Sequence, residues 1–124
     1  MAKILIVDDA EEVTELLNIL LHTAGYTAFT AFDVPHGFDL AVSEKPDLII
    51  SDVVMPKFDG YELLEMLKLN KETADIPVIF LSARADYREI ERGLKAGAVE
   101  YITKPYDSRK LLNLISKIMR KTEN

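Results

Sequence analysis

The sequence predicts an α/β domain: a five-stranded parallel sheet, doubly wound, with five helices. Two observations carry that expectation. Short apolar runs of strand length alternate five times with longer segments of helical period, and such alternation implies a parallel sheet covered on both faces. Four of those runs also end in chemically useful residues. Asp8 and Asp9 follow 3–7, Asp52 follows 48–51, Ser82 follows 78–81, and Lys104 with Pro105 follows 99–103. Ligands of open α/β sheets bind beyond the carboxyl ends of the strands, so residues placed there meet at one rim.

Lys3–Val7 (KILIV) reads as a buried strand. Residues 11–24 read as a helix, with Val13, Leu16, Leu17, Leu20 and Leu21 forming an i, i+3, i+4, i+7, i+8 stripe and Gly25 as the stop. Residues 26–32 alternate and are partly β-branched or aromatic, as an outer strand is. Asp33 is placed to cap a helix over Val34–Glu44, which Pro35 and Gly37 weaken and Pro46 ends. Residues 47–51 (DLIIS) form a buried strand, and the loop 56–60 opens a helix over 61–70. Residues 77–82 form a strand, Tyr87–Ala96 a helix ended by Gly97, and 99–103 the last strand. Asp107 or Ser108 caps a final helix whose Leu111, Leu112, Leu114, Ile115, Ile118 and Met119 face inward. No linker, repeat or low-complexity segment interrupts the pattern, so residues 1–124 read as one domain.

Composition narrows the function classes. At 124 residues, 48% hydrophobic and 29% charged, the chain suits one globular core. Without cysteine it has no disulfide, thiolate metal site or Cys nucleophile. No apolar run approaches the ~20 residues of a membrane span, and the N-terminus leads directly into a strand, so a cytoplasmic protein without membrane attachment is expected. A net charge of −6 gives no electrostatic reason to bind nucleic acid directly. Phosphate-binding P-loop, dinucleotide fingerprint and HExxH motifs are absent. His22 and His36 fall within helical patterns and read as surface or packing residues. Lys117, Arg120 and Lys121 oppose the negative end of the last helix.

The common strand order at this length is 2-1-3-4-5, flavodoxin-like, with its switch point between strands one and three. That order brings Asp8, Asp9 and Asp52 together. Three adjacent carboxylates disfavour one another's ionisation unless a cation is bound. Mg²⁺ suits them, with Mn²⁺ as a substitute, because it takes one or two carboxylates, keeps waters and bridges to phosphate oxygens. A carboxylate is also a nucleophile toward phosphorus, giving an aspartyl phosphate. Metal and Lys104 would neutralise charge during phosphoryl transfer, and Ser82 would donate to a phosphoryl oxygen. Each residue alone has a plainer reading. Asp8 and Asp9 suit a helix cap, Asp52 a turn, Ser82 a strand end, Lys104 a solvated loop and Tyr101 the core. Their coincidence at four successive strand ends favours a site.

The ordered motifs Ile4-Leu5-Ile6-Val7-Asp8-Asp9, Pro46 to Asp52 with Met55-Pro56 and Asp59-Gly60, Pro77 to Ala83, and Gly97-Ala98 with Tyr101 to Pro105 cover essentially the whole chain. The intervals from Asp52 to Ser82 and from Ser82 to Lys104 add to their specificity. In this set the chain resembles a response-regulator receiver domain of two-component signalling, close to the single-domain chemotaxis type. The resemblance implies that Asp52 is the phospho-acceptor, taking the group from a histidine kinase or histidine phosphotransfer protein. It implies that Asp8, Asp9, Asp52 and the backbone carbonyl of Val54 hold Mg²⁺, and that Lys104, ahead of a cis Pro105, pairs with the phosphoryl group. Ser82 becomes the switch hydroxyl and Tyr101 the aromatic that turns inward with it. Ala83 keeps the phosphoryl pocket open, while Val54 and Arg84 border the phosphoryl group and set its lifetime.

Such a domain is not an enzyme acting on external substrates, although it catalyses its own phosphorylation and dephosphorylation. No output domain is expected in this chain, so its output is expected to be contact with a downstream target protein, unless the chain is a piece excised from a larger regulator. A monomer is expected, with dimerisation on phosphorylation as the variant. DNA-binding members that dimerise through the fourth helix, fifth strand and fifth helix carry two acids before the aromatic and an arginine in the last helix. Val99 with Glu100, and Leu114, stand here and argue against that dimer. Two other classes compete. A metal-dependent aspartyl-nucleophile phosphohydrolase needs a second acid where Val54 stands. A non-phosphorylated interaction module has no use for the intact acid set.

Overall fold

Ten elements alternate strand and helix through residues 2–123, the residues described in the computed structural model. They are β1 (Lys3–Val7), α1 (Glu11–Thr23), β2 (Thr27–Ala31), α2 (Val34–Glu44), β3 (Leu48–Ser51), α3 (Gly60–Leu69), β4 (Val78–Ser82), α4 (Tyr87–Ala96), β5 (Glu100–Thr103) and α5 (Ser108–Glu123). Every pairing in the sheet is parallel, in the order β2-β1-β3-β4-β5. Val7 lies level with Ala31 and Ser51, and Ser82 lies level with Thr103. The expected fold class and strand order hold.

Successive strand residues point to opposite faces, and each face is covered. Leu5, Val7, Ile49, Val78 and Phe80 pack with Val34, Ala41, Leu63, Leu64 and Leu67, beneath α2, α3 and α4. Ile4, Ile6, Leu48, Ile50, Ile79 and Leu81 pack with Leu17, Leu21, Leu111, Ile115 and Met119 of α1 and α5. Burial on both sides is why these strands read as unbroken apolar runs rather than alternating ones.

The helix starts have local causes. The Asp33 side chain accepts from the His36 amide at 2.8 Å and opens α2, with Pro35 in the first turn where a missing N–H costs nothing. Gly37 has a packing role: a Cβ there would lie 2.9 Å from Val7 Cγ2, so its bare backbone lets α2 close on β1. Asp59 and Glu62 form a reciprocal capping box on α3, with bonds of 2.9 and 3.1 Å; losing such a cap costs about 1 kcal/mol. Asp107, rather than Ser108, caps α5, accepting from the Lys110 amide at 3.1 Å.

Several expected bounds shift. The α3 helix begins at Gly60 and ends at Leu69 because the Asp59 box fixes its start. The second strand loses Tyr26, whose amide instead bonds the Leu21 carbonyl at the end of α1. Ladder pairing makes β3, β4 and β5 each one residue shorter at the start. Leu16 is a correction: it is 65% exposed. The inner face of α1 is drawn by Thr14, Leu17 and Leu21, and at 3.6 residues per turn Leu16 lies more than about 90° around the helix from them. On α5, Leu111, Ile115 and Met119 are buried, while Leu112, Leu114 and Ile118 are half-buried at the edge of that stripe. Among the described residues, no helix is long and apolar enough to cross a membrane.

Candidate functional site

The ladder itself delivers the acids. The Asp8 amide donates to the Ala31 carbonyl at 3.1 Å, and the Asp52 amide to the Val7 carbonyl at 2.9 Å. Both carboxylates are thereby carried one residue past neighbouring strands at the switch point. One oxygen each from Asp8, Asp9 and Asp52 lie within 4.8 Å of one another. Asp8 is buried, Asp52 half-buried and Asp9 exposed. The backbone holds one oxygen of each inner acid: Asp8 Oδ1 accepts from the Ala10 amide at 2.9 Å, and Asp52 Oδ1 from the Val53 amide at 2.7 Å. Lys104 Nζ donates to the other two, reaching Asp8 Oδ2 at 3.0 Å and Asp52 Oδ2 at 3.3 Å. The N-cap of α1 is Ala10, without a side-chain bond, so neither Asp8 nor Asp9 serves as its cap.

Lys104 arrives there because its amide donates to the Ser82 carbonyl at 2.8 Å, extending the β4–β5 ladder. The Lys104–Pro105 peptide is cis. Burial would lower the Lys104 pKa, but the hydrogen bond to Asp8 and the charges of Asp52 and Asp8 outweigh it and raise it. Burial raises the Asp8 carboxyl above its ordinary value, and the Asp52 charge adds to this; the Ala10 amide and Lys104 oppose it incompletely. Three carboxylates facing one ammonium leave excess negative charge. Hard oxygen ligands gathered this closely, open to solvent at Asp9, fit a small divalent cation that retains waters.

Across the rim, Ser82 is buried and its Oγ accepts from the Arg84 amide at 3.2 Å. The Arg84 carbonyl in turn accepts from the Tyr101 hydroxyl at 2.9 Å. Tyr101 is thus turned inward, its ring edge-on to Phe80 at 6.2 Å, with Phe80 edge-on to Tyr61 at 5.2 Å. Burial raises the Tyr101 phenol, and the neighbouring Ser82 hydroxyl opposes this only in part. Gly93 makes the room: a Cβ there would sit 2.7 Å from Tyr101 Cδ2. Ala83 is exposed between Ser82 and Arg84.

Sequence reasoning missed a third group. Glu89 Oε1 faces Arg84 Nη1 at 3.4 Å and Arg92 Nη1 at 4.0 Å. The Arg92 guanidinium lies 4.0 Å over the Tyr61 ring, and the Tyr61 hydroxyl donates to Glu89 Oε2 and to the Glu89 carbonyl at 3.4 Å each. Burial, with the Glu89 charge beside it, pushes the Tyr61 phenol up to about 12. Val54, Tyr61, Arg84 and Arg92 line a shallow cavity of about 220 Å³ beside this group. Of these contacts, only the i, i+3 spacing of Glu89 and Arg92 is legible in the sequence. Gly60 was also missed: a Cβ there would collide with the Asp52 carbonyl.

Fold and rim together define a doubly wound α/β domain with an acid–lysine pocket at its switch point. The profile of the response regulator receiver domain family matches residues 4–116, and the chain belongs to that family. It is 38% identical over 99% of its length to the DNA-binding dual master transcriptional regulator RpaA of a Synechocystis strain, covering 51% of that protein. It is 38% identical over 96% of its length to the phosphate regulon transcriptional regulatory protein PhoB of Pseudomonas aeruginosa, covering 52% of it. The chain therefore spans about half the length of the curated relatives it matches. Among solved structures, the receiver domain of Francisella response regulator 1452 superposes with a TM-score of 0.91 at 30% identity, covering 98% of this chain and 99% of that one. Chemotaxis protein CheY4 of Vibrio cholerae gives 0.89 at 29% identity, covering 95% and 98%. This is a receiver domain of two-component response regulators rather than an enzyme of the classical kind.

Proposed function

We propose that Asp52 accepts a phosphoryl group from a phosphohistidine-bearing histidine kinase or phosphotransfer protein. An Asp52 carboxylate oxygen attacks phosphorus, the P–N bond breaks, and the imidazole leaves with its electron pair. The observation that supports this reading best is Lys104 Nζ between Asp52 and Asp8, with Asp9 completing a trio of carboxylates within 4.8 Å. Asp8, Asp9, Asp52 and the Val54 carbonyl would hold Mg²⁺, which when bound neutralises charge gathering on the phosphoryl oxygens. Lys104 is positioned to exchange its bond to Asp52 for one to a phosphoryl oxygen. The Ser82 hydroxyl donates to another, and Ala83 leaves space for it.

Phosphorylation then acts as a population shift, because only contacts unique to the active arrangement can favour it. Ser82, the Arg84 backbone and Tyr101 form the hydrogen-bonded path for that shift. A groove lined by Val13, Leu16, Lys104, Pro105 and Tyr106 shares Lys104 with the pocket and offers the donor an apolar seat. Output passes to a target protein through the altered surface. The test is intact mass after incubation with acetyl phosphate and Mg²⁺. One phosphate should add, and Asp52→Asn or chelation should remove it. Undiminished labelling of Asp52→Asn, or multiple turnover of small phosphoesters, would overturn the assignment.

A further inference from the structure

We infer that Glu89 is a positioning residue that sets the lifetime of the phosphorylated state by competing with the phosphoryl group for the Arg84 guanidinium. The inference rests on Asp52 being the acceptor and concerns the fate of the phosphoryl group once it is bound there. Arg84 stands two residues beyond Ser82 and shares a cavity with Val54, two residues beyond Asp52. From there its planar fork is suited to an anion at Asp52. Its backbone is fixed from both sides, by Ser82 Oγ on its amide and Tyr101 Oη on its carbonyl. Only the side chain is left free to choose a partner, and Glu89 has it, at 3.4 Å.

Glu89 is well placed to hold rather than yield. Its side chain is 17% exposed against 54% for Arg84, so the carboxylate is the anchored member and the guanidinium the mobile one. Two neighbours anchor it. Tyr61 bonds its second oxygen, Arg92 approaches the oxygen that Arg84 uses, and Arg92 is itself stacked on Tyr61. The N-cap bond from the Glu89 amide to Asp86 fixes the backbone beneath it. A phosphoryl dianion on Asp52 adds a second, more highly charged claimant for Arg84. Glu89 draws Arg84 off the phosphoryl oxygens for part of the time, opening phosphorus to water; without the Glu89 charge, Arg84 would cover it more fully. In the decay reaction, water attacks phosphorus, the bond to the Asp52 oxygen breaks, inorganic phosphate leaves, and the carboxylate is restored.

The test is the decay rate, read by intact mass after acetyl phosphate is removed, for the parent, Glu89→Gln, Glu89→Asp, Arg84→Ala and the Glu89→Gln/Arg84→Ala pair. Exposed ion pairs are modest, so Glu89→Gln should slow decay by about two- to fivefold. Glu89→Asp should restore the parent rate. Arg84→Ala should decay faster than the parent, and adding Glu89→Gln to it should change nothing. A merely structural role for Glu89 would act equally in both backgrounds, and that result would overturn the inference, as would unchanged or faster decay in Glu89→Gln. If the parent takes up no phosphate at all, the acceptor reading itself falls.

Discussion

The two halves of the rim are built differently. At the β1–β3 end, strand register sets the chemistry: the Asp8 and Asp52 amides sit in the ladder, and the backbone holds one oxygen of each carboxylate. At the β4–β5 end, Ser82 and Tyr101 are in strands, but Arg84 and Glu89 lie beyond β4; Glu89 meets Arg84 at 3.4 Å and Arg92 at 4.0 Å through side chains, with Arg84 and Arg92 more than half exposed. Interactions through exposed side chains are weak and easily redistributed, whereas those through a buried ladder are neither. The difference separates a half that must hold its geometry during a reaction from a half that must change it afterwards.

Removing the lysine attacks the rigid half and should have the largest effect. Lys104→Met leaves the buried Asp8 without its counter-charge and removes the donor to the phosphoryl group. Phosphate uptake from acetyl phosphate should fall by about 10²-fold or more, read as the initial rate of mass addition; a rate near the parent's would show that the lysine only stabilises the fold. Ser82→Ala attacks the other half. Uptake should persist, but the Tyr101 ring resonances should no longer shift on phosphorylation. If they shift as in the parent, the two halves are not coupled through Ser82.

Gly93→Ala sharpens the contrast from beneath. The added methyl meets the Tyr101 ring, so it should turn that ring outward and cost about 1–3 kcal/mol in denaturant unfolding, while labelling at Asp52 persists. The acid half has a pH signature instead. Because the Asp8 carboxyl is raised above 3.8, protons compete with Mg²⁺ at a higher pH than at an ordinary aspartate. Calorimetric titration should show affinity falling as the pH drops through that elevated value. Over the same interval the metal-free chain should gain stability, since its folded form binds the proton more tightly than its unfolded form. The smallest effect expected is at Val54, whose apolar, half-exposed side chain cannot orient a water. Val54→Asn should hasten phosphate decay by less than about tenfold.

The same contrast explains what could be read from the sequence. Strands buried on both faces must be apolar runs, and a parallel sheet puts their ends at one rim, so the order of the strands and the meeting of Asp8, Asp9, Asp52 and Lys104 followed from local pattern plus topology. Burial around a helix did not follow as well: Leu16 continued the leucine stripe of α1, yet Thr14 took the inner position. The Glu89 group was out of reach because it depends on where α3 and α4 stand. Tyr61 lies 28 residues before Glu89, and nothing in either segment's periodicity indicates that they meet. Gly60, read as the end of the loop before α3, and Gly93, read as an ordinary helix residue, gave no sign of their packing roles because the atoms they avoid belong to other elements.

Gly60 has no charge, donates nothing to phosphate, and reads at first as a flaw in the first turn of α3. Its missing side chain is nevertheless the clearance that allows the helix to rest against the Asp52 carbonyl. In a saturation screen scored only for signalling output, position 60 would therefore look as intolerant as the acceptor aspartate itself. A map of mutational sensitivity would mark it as chemistry when its contribution is vacant space.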